Sequence, residues 1–147
     1  MTLTSKRKSA QAHGASRGLT ATVLLAIAGL HVLWGFGSSF PFRTREELAD
    51  SVVGSSDVPS RGACVSVAAA LVLSAILVAR VVPLPKALRK VALRVVTTVL
   101  ATRGVAGAMG RTSTLSPGSD SPAFNRLDKR LYSPLCLWLA AGVQRSI

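Results

Sequence analysis

The chain has 147 residues, about one domain, and is 49% hydrophobic, 5% aromatic and 16% charged, against roughly 25% charged in a typical soluble domain. Its apolar residues lie in long blocks and the mean hydropathy is +0.43, which excludes a disordered chain and argues against an ordinary soluble enzyme. The net charge of +12 comes largely from cations beside apolar blocks, as lipid phosphates and membrane topology require. Aromatic and basic residues do not interleave as a stacking platform would, so no nucleic-acid partner is expected.

Lys6, Arg7, Lys8 and Arg17 lead into the first apolar block, and residues 1–18 read as a disordered basic tail on the cytoplasmic side. The block from Leu19 to Gly37 carries no formal charge and at about 1.5 Å per residue nearly crosses a ~30 Å hydrocarbon core. A cleaved signal peptide is the rival reading. The stretch is longer than the roughly 7 to 15 residues of a signal core, and His31 and Trp34 interrupt it, so a retained helix is expected.

Loop one follows, with a Thr44-x-x-Glu47 capping box that opens a short helix and Gly54 with the Ser55 to Pro59 stretch to end it. The second block, Gly62 to Ala79, is uncharged and places Ser66, Ala70 and Ser74 at every fourth position. Small residues so spaced line one helix face and admit a neighbouring helix. Arg80, Lys86, Arg89 and Lys90 fill the link to the third block, Val91 to Gly110. That block holds Arg94, one turn from the link and able to snorkel, and Arg103, which lies deeper. An arginine at the centre of a span costs roughly 2.5 to 3.5 kcal/mol on insertion scales, so Arg103 should face protein, water or thinned bilayer. Gly104, Gly107 and Gly110 recur beyond it and either admit a neighbouring backbone or weaken the helix end.

Loop two is a Ser/Pro/Gly turn region, then a helix entry at Ser121-Pro122. The last block, Leu131 to Val143, falls short of the bilayer core; it reads as a short fourth span, opened by Pro134 in its first turn and anchored by Arg145. An even count returns the tail to the side where the chain began. The expected fold is therefore an all-α membrane bundle, a single domain over 19–147 with spans of about 19–37, 62–79, 91–110 and 131–147. With the N-terminus inside, the inner segments hold 9 Lys/Arg in 33 residues and the outer loops 7 in 44; the bias has the sign of cytoplasmic termini.

The segment from Phe124 to Ala140, with Leu127 to Cys136 as its most specific part, resembles the domain-of-unknown-function family 3995, as do His31-x-x-Trp34 and Arg103-Gly104. The resemblance runs from Leu19 onward over most of the chain. It implies a small, uncharacterised bacterial membrane protein of four helices in the cell membrane, and it carries no activity.

The polar residues fall at similar depth. His31 lies six residues and Arg103 seven from the outer ends of their spans, roughly 9 to 11 Å below that surface. Tyr132, Ser133 and Cys136 open the last span from the same side, and Asp120 and Asp128 lie just above. These residues, with Trp34, form the candidate polar cluster, and Arg103 is expected to pair with Asp128. Such a pair can serve as a static lock or border a ligand or catalytic site. Cys64 and Cys136, both near outer ends, read as inert thiols rather than a disulfide. No GxGxxG, P-loop or HExxH occurs, so no cofactor or metal is expected. The leading functional reading is a non-enzymatic module that self-associates or joins a larger membrane protein; the alternative is a small-molecule, enzymatic or transport-related site around His31, Arg103 and Asp128.

Overall fold

The computed structural model describes residues 3–147 and contains helices but no strand among those residues. Helix α1 (Leu3–Gly35) leads to α2 (Arg45–Leu48), which continues into a π-helical turn (Ala49–Val53). Helices α3 (Arg61–Ala79) and α4 (Lys86–Ala108) follow. The chain then forms α5 (Thr112–Leu115), α6 (Pro122–Leu127), a second π-helical turn (Asp128–Tyr132) and α7 (Ser133–Gln144). Three helical segments are long and apolar enough to cross a membrane: Gly14–Gly35, Arg61–Ala79 and Lys86–Ala108. The fourth segment expected to span is not of this kind, because α7 has 12 residues, about 18 Å of rise, and Asp128, Lys129 and Arg130 break the apolar run ahead of it.

Helix boundaries depart from the hydropathy blocks in three places. Helix α1 begins at Leu3, where a disordered tail was expected; residues 3–18 contain Lys, Arg, Ala and Gln, all good helix formers, and no proline. Residues 1 and 2 of that tail lie outside the described residues. Helix α4 begins five residues before the apolar block, at Lys86, with Pro85 as its cap. The last helical run begins at Pro122 rather than Leu131. Hydropathy marks where lipid begins; caps and prolines mark where helices begin. The second π turn precedes Pro134, whose ring crowds the carbonyl one helical turn back and offers it no N–H, and a wider turn gives that carbonyl room.

The bundle is built from two close pairs, α1 with α3 and α4 with α7, while α3 touches α4 only lightly. Helices α1 and α3 are antiparallel: a Cβ on Gly35 would stand 3.2 Å from that of Cys64. The face α3 buries carries Cys64, Ala68, Ala75 and Val78, one stripe at helical spacing. Ser74 is also buried, but Ser66 and Ala70 are exposed, so the stripe of small residues expected at every fourth position is not the close-packed face. The face that packs is itself mostly small, with Cys64, Ala68, Ser74 and Ala75 buried and Val65, Val67, Val72 and Leu73 exposed; it seats Ala75 and Val78 in a core shared with Leu24, Leu93, Leu139 and Val143, and small side chains let the neighbouring helix approach closely.

Helix α7 crosses its neighbours closely at both ends. A Cβ on Gly104 would meet Leu137 Cγ at 2.7 Å, one on Gly107 would meet Asp128 Oδ2 at 2.6 Å, and one on Gly142 would overlap the Thr20 side chain. The glycines in α4 therefore admit a neighbouring backbone. Where α3 ends, Arg80 donates from Nη2 to the carbonyl of Ser146 at 3.1 Å, so the end of α7 lies beside the junction of α3 and α4.

Candidate functional site

Loops one and two fold onto each other through local caps whose unpaired groups find partners across the gap. Thr44 caps α2 by accepting the Glu47 N–H at 3.1 Å, and Glu47 in turn accepts the Arg43 N–H at 3.0 Å. The π turn that follows ends at Gly54, at φ 82°, a left-handed position suited to glycine. Its freed carbonyls are taken from loop two and beyond. Ser121 Oγ donates to Asp50 O at 2.8 Å, Tyr132 Oη to Ser51 O at 3.2 Å, and the Asp120 and Ser121 N–H groups both to Gly54 O at 3.1 Å. Ser121 also caps α6 by accepting the Phe124 N–H at 3.1 Å, with Pro122 in the first turn.

Beneath this cap lies Asp128, 1% exposed. Arg103 Nη1 stands 3.0 Å from its Oδ1 and 3.3 Å from its Oδ2. Ser133 donates to Oδ1 at 2.9 Å, and Thr112 donates to Oδ2 in a short hydrogen bond. A buried carboxylate is tolerated only when paired and hydrogen-bonded, and here a cation and two hydroxyls meet that demand. Gly107 makes the approach geometrically allowed, since any side chain there would occupy the space of Asp128 and Ser133. With its lone pairs engaged, Asp128 fastens the last helical run to α4 and α5 and is poorly placed to abstract a proton.

His31 and Trp34 stand across from this pair on α1. Nδ1 of His31 donates to Ile27 O at 2.9 Å; a carbonyl only accepts, so in the neutral ring Nε2 keeps its lone pair. The two rings are 4.9 Å apart, and Trp34 Nε1 donates to Phe40 O at 2.6 Å. His31, Trp34 and Arg103 line one chamber of about 350 Å³, together with Cys64, Phe124 and three hydroxyl residues, Thr112, Ser116 and Ser119.

The structure thus brings together Arg103, Asp128 and Ser133 in one contact set, with His31 and Trp34 facing Arg103 across the chamber. Tyr132 is engaged by the cap, with its ring 6.3 Å from Phe124. Cys136 is half-buried one turn beyond Ser133, and neither residue lines the chamber. Asp120 does not belong to the cluster: it is exposed and contributes only its backbone, accepting Asn125 Nδ2 at 3.0 Å. Cys64 and Cys136 are free thiols, Cys64 buried among Trp34 and Leu48. Sequence reasoning missed Thr112, Ser116 and Ser119. Their signal was the hydroxyl-rich run from Thr112 to Ser119 immediately after a span that buries an arginine.

Among protein families, the model described as Protein of unknown function (DUF3995) matches residues 24–143. No curated protein and no solved structure matches the chain.

Proposed function

The chain belongs to the DUF3995 family, and from that premise we propose that it is an integral protein of the bacterial plasma membrane. In this reading it serves as a non-enzymatic helical module that packs with a second copy or with a larger membrane protein. One observation carries the proposal. On α4, Arg94, Thr98 and Thr102 recur at every fourth residue and all three are exposed. They form a polar stripe on the outer face of a helix that buries little of itself within the chain. Hydroxyl and cationic side chains facing hydrocarbon are costly, and interhelical hydrogen bonds are the usual remedy. In this arrangement α7 acts as the short fourth span. Support comes from the unbroken helical run from Pro122 to Gln144 and from the contacts of its end with Thr20 and Arg80. Both termini then face the cytoplasm, on the side of the basic link.

The test uses a background in which Cys64 and Cys136 are alanine. A cysteine at Thr98 is expected to cross-link under mild oxidation in native membranes, to a second copy or to a larger protein. A cysteine at Leu25, exposed on α1, is expected to stay uncoupled. Equal failure at both positions, with the protein monomeric in mild detergent, contradicts the module reading.

A further inference from the structure

The outer chamber adjoins a second cavity. Between α3 and α4, where the two helices barely meet, runs a groove of about 590 Å³ floored by Leu24 and walled by Leu71, Leu77, Val95 and Val99. Val67 and Arg103 line both spaces, so the chamber and the groove border each other at the guanidinium. Each volume falls within the roughly 300 to 1,000 Å³ of ordinary ligand sites. Both are largely apolar, but the chamber holds more polar groups. The chamber offers hydroxyls, an imidazole and a guanidinium, whereas Ser74 and Arg103 are the polar residues among the described lining of the groove.

Charge selects the occupant. No acidic side chain lines either space among the described residues. Arg103 hydrogen-bonds Asp128 through Nη1 and lies 5.9 Å from the centre of the Phe124 ring, while no hydrogen bond from its Nε or Nη2 is found among the described residues. Asp128 meanwhile draws hydrogen bonds from Thr112 and Ser133, which leaves the guanidinium with donors to spare. The first turn of α3, represented by Ala63 and Cys64, also faces the chamber; its N–H groups at Ala63 and Cys64 are bonded to Ser60, so it adds the positive end of the helix dipole but no free donor. An acceptor-rich anionic group fits the head, a hydrocarbon chain fits the groove, and a surrounding bilayer supplies molecules with both. We propose that this protein binds one anionic phospholipid, with the phosphate in the chamber at Arg103 and an acyl chain between α3 and α4. The site is independent of the polar stripe on α4.

The test uses the full chain carrying Trp138→Phe, which leaves Trp34 in the chamber wall as the sole tryptophan. The protein is placed in phosphatidylcholine nanodiscs, and Trp34 fluorescence is followed as phosphatidylglycerol brominated near the head end of one chain is added. Quenching is expected to saturate at a mole fraction about tenfold lower than with equally brominated phosphatidylcholine, the factor expected for one charge-assisted contact. Val67→Phe, at the junction, is expected to erase the preference. Ala70→Phe, an exposed position in the groove wall, is the second variant should the first fail to fold by circular dichroism. Soluble glycerol phosphate is expected to leave the quenching in place. Equal quenching by the two lipids, a preference that survives in the folded variants, or displacement by glycerol phosphate alone would each overturn the proposal.

Discussion

Gly107→Ala sets two effects of opposite sign against each other. In a helix interior, alanine is favoured over glycine by about 1 kcal/mol, so propensity alone makes the variant more stable. At this position the new methyl would lie 2.6 Å from Asp128 Oδ2 and 2.7 Å from Arg103 Nη1, and it would overlap Ser133 Oγ. Overpacking costs typically about 1 to 3 kcal/mol, and breaking a buried pair about 3 to 5 kcal/mol. Partial loss of the pair on top of the steric cost outweighs the propensity gain and leaves a net destabilisation of about 2 to 4 kcal/mol. Gly29→Ala is the matched control, since nothing lies within 4 Å of a Cβ there, and it should gain up to about 1 kcal/mol. The assay is reversible unfolding of the full chain in mixed micelles, with rising denaturing detergent and helicity read by circular dichroism. A Gly107→Ala protein as stable as the wild type would refute the seating of Asp128 against α4.

Three further outcomes are expected. In the same assay, Arg103→Met and Asp128→Asn should be non-additive by about 1 to 3 kcal/mol, with the double variant less damaged than the two single losses summed; additive losses would show that the pair does not interact. Tyr132→Phe removes the hydrogen bond to Ser51 O and should cost about 0.5 to 1.5 kcal/mol, whereas an unchanged midpoint would mean the two loops are not tied there. Mobility on gels should be the same with and without reductant, and both thiols should alkylate after unfolding, because Cys64 and Cys136 are free; a faster non-reduced band would contradict this.

Much of the frame was legible in the sequence because lipid imposes long apolar blocks. Helices α1 and α3 stop within a few residues of where their blocks end. The errors have one cause. Lys86, Arg89 and Lys90 read as a link, and the last span as starting at Leu131, because polarity marks the end of hydrocarbon, yet backbone hydrogen bonding continues through Lys86 to Lys90 and runs into α7 from the helix entry that Ser121-Pro122 marks in the sequence. The pairing of Arg103 with Asp128 was legible from depth and sidedness: a buried cation needs a counter-charge, and Asp128 lay within reach. The hydroxyls of Thr112, Ser116 and Ser119 were not, since nothing in a Ser/Thr-rich stretch distinguishes a turn from a chamber wall until the cap folds over it. The stripe of Ser66, Ala70 and Ser74 was legible only in part: α3 does pack through small residues, but through Cys64, Ala68, Ser74 and Ala75, and in a span rich in small residues spacing alone does not choose between two such faces.

The membrane residence of the apolar helices underlies the topology, the polar stripe on α4 and the lipid site alike. Alkaline extraction of membranes from cells producing the full chain, followed by solubilisation in mild detergent, tests it most directly. The expected result is that the protein stays in the pellet after carbonate and enters solution only with detergent. Recovery from the carbonate supernatant as a compact monomer would contradict it.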